Sequence, residues 1–189
     1  MGSSAEPASL AGVVLAGGAA PWVGREKAAL PVPGAKAPTT MIQHTVSVIA
    51  ARCEPIFVVA TPGQSLPEMP VRVVRDETRG QGTLLAVARG LHAAAEAGAK
   101  RAFVSAIDVP FLTPDVIDLL TAQADEVDAD VVLPWDGSDH LLAAVYRTNL
   151  AAQADALVAA GERNIRELVN RVDAQRLVLP ALRAPVSVK

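Results

Sequence analysis

The sequence is poor in aromatic residues, has a single cysteine and contains no cluster of basic residues. Phe, Trp and Tyr make up 3% of its 189 residues, and the formal net charge is −3. A chain without a basic patch does not bind nucleic acid or an anionic membrane through bulk electrostatics. No apolar run reaches the about 20 residues that a transmembrane helix needs. We therefore expect a cytoplasmic protein that binds neither nucleic acid nor membrane.

The single cysteine and the absence of a nucleophile motif argue against an internal disulfide, a zinc site and Ser–His–Asp chemistry. Cys53 has no partner for an internal disulfide, and no Cys/His spacing is typical of zinc. Cys53 ends an apolar helical stretch, which favours a buried structural thiol over a reactive one. No G-x-S-x-G segment supports Ser–His–Asp chemistry. We expect His44 and His92 to be partly exposed structural residues, and a ligand contact of His140 stays open.

Apolar runs of strand length alternate with helical patterns along the chain. This alternation predicts an α/β fold: a three-layer, Rossmann-like, mostly parallel sheet with helices on both faces. Strands are predicted at 11–16, 56–60, 71–75, 101–107, 130–134, 141–147 and 176–180. Helices are predicted at 39–52, 83–97, 114–125, 148–160 and 164–172.

Two features refine this prediction. Two predicted strands are separated only by Asp136-Gly137-Ser138-Asp139, a spacing that indicates a hairpin and hence one antiparallel strand. The length suits one well-buried domain, which we expect over 10–189, with a flexible leader at 1–9.

The first predicted strand opens into a loop of small residues that ends at a lysine. Gly17 and Gly18 let backbone N–H groups approach a ligand, and Lys27 adds a mobile positive charge, a combination that suits a nucleotide. The spacing is neither that of a Walker loop nor that of the Rossmann G-x-G-x-x-G. A simple turn with a solvated lysine therefore remains the alternative interpretation of the loop alone.

Carboxylates follow two other predicted strands. Ligands in open α/β sheets bind beyond the carboxyl ends of the strands, where Asp76 and Asp108 are expected to meet the glycine loop. Asp108 follows a solidly apolar strand, and Mg²⁺ bound to a nucleotide is a natural partner for it. A capping or turn aspartate is the other interpretation of Asp108, and Asp76 alone is equally consistent with an exposed loop charge.

Together these motifs resemble the molybdenum cofactor guanylyltransferases, nucleotidyltransferases that transfer GMP from GTP to molybdopterin. The resemblance covers nearly the whole chain. It rests on Leu15-Ala-Gly-Gly18, Gly24-x-x-Lys27, Asp76 followed by Gly80-x-Gly82, Asp108-x-Pro-Phe-Leu-Thr113, Ala143-Ala-Val-Tyr-Arg147 and Ala160-Gly-Glu-Arg163. Leu-Ala-Gly-Gly is the guanylyltransferase form of the first motif, whereas cytidylyltransferase relatives usually carry Leu-Ala-Ala-Gly.

The resemblance implies a role for each matching residue. Leu15, Ala16 and Gly17 of the Leu15–Gly18 motif would contact guanine through backbone groups. Lys27 would bind the phosphates, Asp76 would lie against the nucleotide and Asp108 would hold Mg²⁺. The terminal phosphate of molybdopterin would attack the α-phosphorus of GTP in line and release pyrophosphate. Other proteins of molybdenum cofactor biosynthesis, or acceptor proteins, are further candidate partners.

The chain departs from the family pattern at three places. Trp22 stands where the family's loop carries an arginine, and Thr83 where a proline follows the glycine. The segment 183–189 lacks the family's Asn-x-Asn. Because a lost phosphate contact slows transfer strongly, the alternative is a nucleotide-binding or partner-binding protein in which transfer is impaired or lost. A nucleotidyltransferase for another base or acceptor is a further alternative.

Overall fold

The structure, a computed structural model, describes residues 9–17, 19–20, 25–37, 39–77 and 81–179. The strands are β1 (Leu10–Leu15), β2 (Ala19–Ala20), β3 (Arg25–Glu26), β4 (Ile56–Ala60), β5 (Arg72–Arg75), β6 (Arg101–Ala106), β7 (Val131–Trp135), β8 (Ala143–Arg147) and β9 (Ala174–Val178). The helices are a short 3₁₀ turn (Lys27–Ala29), α1 (Met41–Ala50), α2 (Thr83–Glu96), α3 (Pro114–Val127), α4 (Leu150–Ala159) and α5 (Ile165–Val169). None of the helices in these ranges is both long and apolar enough to cross a membrane.

Seven strands form one mixed sheet in the order β5-β4-β1-β6-β8-β7-β9. The pairs among β5, β4, β1 and β6 are parallel, and β7 is parallel to β9. Strand β8 runs antiparallel to both of its neighbours, β6 and β7. The predicted mostly parallel sheet with one antiparallel strand is therefore confirmed.

Helices cover both faces of this sheet, as predicted. Buried residues of α2, α4 and α5 pack with one face of β1, and those of α1 and α3 pack with the other. Alternate residues of β1 divide between the two cores: Val13 joins the first and Val14 the second, and both are fully buried. A strand covered on both sides reads as a continuous apolar run, which is how β1 stood out in the sequence.

Local signals start the helices where the sequence indicated. The Thr113 side chain accepts from the Val116 N–H, and Pro114 occupies the first turn of α3. The Asn164 side chain caps α5. Cys53 is buried as expected, and burial raises the pKa of its thiol to about 12.

The structure differs from the prediction in small elements and at the termini. The pair β2–β3 and the 3₁₀ turn were not predicted, because strands of two residues show no periodicity. Helix α5 ends at Val169, before the predicted 172. Residues 1–8 of the predicted leader lie outside the described residues, as do Gly18, Trp22, Gly24, Gly80 and 180–189. The single domain over 10–189 stays a prediction.

The β7–β8 turn is held by an ion-pair cluster. Asp139 is 10% exposed, and both of its oxygens contact the Arg176 guanidinium on β9 at 2.6 and 2.8 Å. Arg166 of α5 contacts the same carboxylate at 3.2 Å. The hydrogen bonds from Arg176 and Arg166 lower the pKa of Asp139 despite the opposing effect of desolvation. The turn is thereby fixed to the edge of the sheet.

Helix α2 packs closely on strand β1 at Gly90. A Cβ built on Gly90 would lie 2.3 Å from Val13 Cγ1, closer than carbon atoms approach. The missing side chain at Gly90 therefore sets the distance between α2 and β1.

Replacing Gly90 by alanine should destabilise the fold. The clash with Val13 is expected to cost about 1–3 kcal/mol of unfolding free energy, outweighing the roughly 1 kcal/mol that alanine gains in helix propensity. Urea denaturation measures the difference. In a Val13→Ala protein the same substitution should cost little or stabilise. An equal loss in both backgrounds would show that the helix–strand distance is not the cause.

Candidate functional site

A cleft of about 350 Å³ lies where the strands β1, β4, β5 and β6 end. It lies on the α2 side of the sheet, and the first turn of α2 forms part of its wall. The cleft brings together five of the residues selected from the sequence, namely Leu15, Gly17, Lys27, Asp76 and Asp108. The expected convergence of Gly17 and two carboxylates at the strand ends is therefore present in the structure.

The two residues that follow β1 differ in their backbone contacts: Ala16 is hydrogen-bonded to neighbouring segments, and Gly17 is open to the cleft. The Ala16 N–H donates to the Val59 carbonyl at 2.9 Å, and the Ala16 carbonyl accepts from Gln64 Nε2 at 2.9 Å. Ala16 is fully buried and lies behind the cleft rather than in its lining. Its N–H is thus unavailable to a ligand, and the backbone of Gly17 is the part that the cleft exposes.

Gln64 is a part of the site that sequence reasoning missed. It is 2% exposed, and its Oε1 also accepts from the Thr61 N–H at 3.1 Å. The side chain therefore joins the loop after β4 to the loop after β1. Arg75 supports the same loop by donating to the carbonyls of Thr61 and Gln64 at 3.2 and 2.9 Å. A buried glutamine within a proline-rich loop gives no local pattern that would have identified it.

Lys27 and Asp108 form an ion pair across the mouth of the cleft. Lys27 begins the 3₁₀ turn and its side chain is 35% exposed, and the Asp108 side chain beyond β6 is 44% exposed. The Thr45 hydroxyl of α1 donates to the Ile107 carbonyl at 3.2 Å and fixes the backbone before Asp108. A cation and an anion that both face solvent in one cleft can each exchange their partner for a charged ligand.

Asp76 is the more enclosed of the two carboxylates. Its side chain is 12% exposed, and Arg89 Nε of α2 lies 2.7 Å from its Oδ1. Burial raises the pKa of Asp76, and the Arg89 charge opposes this shift. The sequence prediction selected Asp76 but not Arg89. Helical periodicity identifies the apolar face of a helix, but it does not show which charged residue of the helix pairs with a residue on another element.

The N-terminus of α2 faces the cleft without a side-chain cap. Gly82 has φ +87°, and a Cβ there would lie 2.6 Å from the Arg163 carbonyl oxygen. That carbonyl accepts from the Leu84 N–H at 3.0 Å, and Thr83 Oγ1 accepts from the Ile165 N–H at 3.1 Å. The Ala160–Arg163 segment is thereby docked on this helix start, whose dipole favours an anion.

The histidines take structural positions. His44 and His92 are exposed on α1 and α2, as expected. His140 Nε2 lies 2.9 Å from Asp136 Oδ1, and its ring packs edge-on against Phe111 with 4.8 Å between centroids. The hydrogen bond with His140 lowers the pKa of Asp136. A ligand contact of His140 stays untested.

The donor set fits a divalent cation that brings most of its own ligands. Asp108 offers a half-exposed carboxylate that already faces a positive charge, the Lys27 ammonium. Within the described ranges, no group of three or more Asp, Glu, His or Cys side chains could hold a metal ion by itself. Mg²⁺ is commonly held by one or two carboxylates together with substrate phosphates, and Asp108 can serve as such a ligand.

Comparison with known proteins gives consistent similarities. Residues 12–176 match the MobA-like NTP transferase domain family. A Mycobacterium marinum protein named "Probable molybdenum cofactor guanylyltransferase" is 56% identical over 178 residues, 94% of this chain and 88% of that protein.

Solved structures at low identity share the fold. The molybdopterin-guanine dinucleotide biosynthesis protein A of Archaeoglobus fulgidus superposes with a TM-score of 0.70 at 18% identity, over 89% of this chain and 83% of that one. A manganese complex of Rv0371c from Mycobacterium tuberculosis superposes with a TM-score of 0.64, also at 18% identity, over 93% and 90% of the two chains.

Proposed function

We propose, from the membership of this chain in the MobA-like NTP transferase family, that this nucleotidyltransferase transfers GMP from GTP to molybdopterin and releases pyrophosphate. The observation that carries the proposal is the convergence of Gly17, Lys27, Asp76 and Asp108 in one cleft at the strand ends. The 56% identical relative, which is named as a molybdenum cofactor guanylyltransferase, supports the choice of base and acceptor.

Each residue of the cleft then has a distinct role. Of the residues Leu15, Ala16 and Gly17, Leu15 and Gly17 line the cleft and would receive the guanine, with the Gly17 backbone as the main contact. Ala16 lies behind the cleft and would hold this backbone in place rather than contact the base. Gly18 belongs to the same motif but lies outside the described residues. Lys27 would bind the triphosphate, and Asp76 would accept hydrogen bonds from the nucleotide.

Asp108 would hold Mg²⁺ in this cleft. When bound, the ion would neutralise charge on the triphosphate and on the pyrophosphate that leaves. The single half-exposed carboxylate and the absence of a larger ligand cluster in the described ranges support a metal that is shared with the nucleotide.

The transfer requires positioning more than covalent chemistry by the protein. An oxygen of the molybdopterin phosphate forms a bond to the α-phosphorus of GTP, and the bond from that phosphorus to the bridging oxygen of pyrophosphate breaks. A phosphate monoester is already anionic near neutral pH, so no strong general base is needed. Lys27 and the start of α2 would stabilise the developing negative charge. GTP and molybdopterin are the partners that this proposal requires, and we expect the reaction in the cytoplasm.

Replacing Asp108 by asparagine should strongly reduce transfer. The substitution keeps the shape but removes the charge that holds the metal, and we expect pyrophosphate release from GTP, molybdopterin and Mg²⁺ to fall at least about a hundredfold. Asp115→Asn is the matched control, because that side chain is 91% exposed on α3 and outside the cleft. Unchanged release by Asp108→Asn would refute the role of Asp108.

GTP should raise the melting temperature more than CTP at equal concentration, because the tighter ligand stabilises the folded state more. Alanine at Gly17 tests the origin of this difference. A Cβ there would lie 3.4 Å from Thr61 Cγ2, an ordinary contact, so the ligand-free protein should melt almost unchanged. The added methyl would occupy the space of the purine and reduce the gap between GTP and CTP. Equal shifts for both nucleotides in the unaltered protein would contradict guanine selection.

A protein that binds nucleotide without transferring it is the second candidate, favoured by Trp22 in place of an arginine. Under this alternative GTP changes the fluorescence of Trp22, single-turnover transfer is undetectable, and Trp22→Arg restores transfer by returning a phosphate contact. Our proposal expects measurable single-turnover transfer by the unaltered protein. Turnover that Trp22→Arg does not improve would exclude the alternative.

A further inference from the structure

Arg89 of α2 is a charged side chain that none of the roles above uses. Its Nε lies 2.7 Å from Asp76 Oδ1, and the two side chains are 30% and 12% exposed. Both of these atoms are fully buried, so Oδ1 of the carboxylate faces Arg89. A carboxylate has a second oxygen, which can accept hydrogen bonds from a ligand in the cleft.

The position of Arg89 follows from the packing of its helix. Gly90, the next residue, lets α2 approach Val13 of β1 so closely that a methyl group would not fit between them. This approach brings the neighbouring arginine over the sheet to the end of β5, where Asp76 lies. A longer distance between α2 and β1 would withdraw the guanidinium from Asp76.

Asp76 is fixed at the cleft from two directions. Its N–H donates to the Ala60 carbonyl at 2.9 Å and extends the pairing of β5 with β4. Its side chain lines the cleft, as do Gly17 and Thr61. The backbone hydrogen bond thus fixes the position of the Asp76 main chain, and Arg89 fixes the position of its carboxylate.

Among the residues that the structure describes, the charges around Asp76 leave Arg89 as its counter-ion. Lys27 lines the same cleft but is paired with Asp108, and the Arg75 guanidinium donates to the carbonyls of Thr61 and Gln64. Glu77 is the next residue in the chain, but the pKa of Asp76 responds to burial and to Arg89. Burial raises the pKa of Asp76, and Arg89 is the cation that opposes this.

We infer that Arg89 is a positioning residue: it holds Asp76 ionised and oriented so that the carboxylate accepts N–H or O–H donors of the bound nucleotide. This inference rests on the proposed function. Arg89 is not part of the lining of the cleft, so it acts through Asp76 and not by contact with the phosphates. The donors that a carboxylate can receive from GTP are the ring N–H and amino group of guanine or the ribose hydroxyls.

A double-mutant cycle on GTP binding tests this coupling. Arg89→Gln and Asp76→Asn should each weaken GTP binding about tenfold, the loss of one charge-assisted contact. Adding Arg89→Gln to Asp76→Asn should weaken binding no further, because Arg89 acts only through the carboxylate. Losses that multiply would overturn the inference. Arg171→Gln is the control, since Arg171 is a half-exposed arginine with carboxylate neighbours outside the cleft.

The pH dependence separates positioning from general damage. GTP affinity should fall as pH falls through the pKa of Asp76, because the protonated carboxyl carries no negative charge. Without the Arg89 charge that pKa rises further, so Arg89→Gln should lose affinity at a higher pH than the unaltered protein. Arg89→Lys keeps the charge and should restore the original profile in part. Asp76→Asn has no carboxyl at this position, so the fall in GTP affinity over that pH range should disappear.

A ligand-free measurement keeps the inference separate from the proposed function. The ¹³C shift of the Asp76 carboxyl, followed by NMR in folded protein, should titrate at higher pH in Arg89→Gln. An unchanged titration would overturn the inference whatever the nucleotide. If the titration moves but the unaltered protein binds no GTP, the proposed function fails and the nucleotide role of Arg89 fails with it.

Nucleotide analogues identify the donor that Asp76 receives. If the carboxylate accepts from the guanine amino group, ITP should bind the unaltered protein more weakly than GTP, and Asp76→Asn should remove that difference. If it accepts from the ribose, the 2′- or 3′-deoxy form of GTP should show that behaviour instead. Differences that persist in Asp76→Asn for all of these analogues would contradict a contact of Asp76 with the guanine amino group or with the ribose hydroxyls.

Discussion

The close packing of α2 on β1 is the constraint on which the rest of the structure depends. With no side chain at Gly90, the helix lies against Val13 at a distance that any other residue would increase. The same helix packs on α4 and α5, supplies the first turn that lines the cleft, and carries Arg89 to Asp76. Because packed interiors transmit small displacements, a shift of α2 at Gly90 would reach the cleft in two ways. It would move the first turn of the helix, and it would move Arg89 relative to Asp76.

A second constraint is electrostatic and lies across the cleft from α2. Lys27 and Asp108 neutralise one another in a solvent-facing pair, so the ligand-free site carries little net charge at its mouth. An exposed pair of this kind is worth about 1 kcal/mol or less, which makes it a weak competitor for a charged ligand. Under the proposed function, a triphosphate with its metal would satisfy both side chains at once: the phosphates would pair with Lys27 and the metal with Asp108. A triphosphate or a metal by itself would leave one of the two side chains without a partner.

The fold and part of the site were predictable because their signals are local in the chain. Apolar runs located the seven main strands, and caps such as Thr113 located helix starts. The short link after Trp135 indicated one antiparallel strand, which the structure identifies as β8. Asp76 and Asp108 were selected because they follow strands. The residues that were missed, Gln64 and Arg89, matter through partners on other elements. Such pairs depend on how a loop closes and on how far a helix lies from the sheet, and neither distance is encoded in residue spacing.

Three glycines, two of them in the cleft, illustrate how structure separates causes that look alike in sequence. Gly82 is required by its positive φ and by the Arg163 carbonyl oxygen, which would lie 2.6 Å from a Cβ at that position, and Gly90 by the contact with Val13. Gly17 meets neither condition, since a methyl group there would touch Thr61 at an ordinary 3.4 Å. The fold therefore gives no steric reason for glycine at position 17. The proposed function supplies one, because a purine that lies against the Gly17 backbone would need the space that a Cβ would fill.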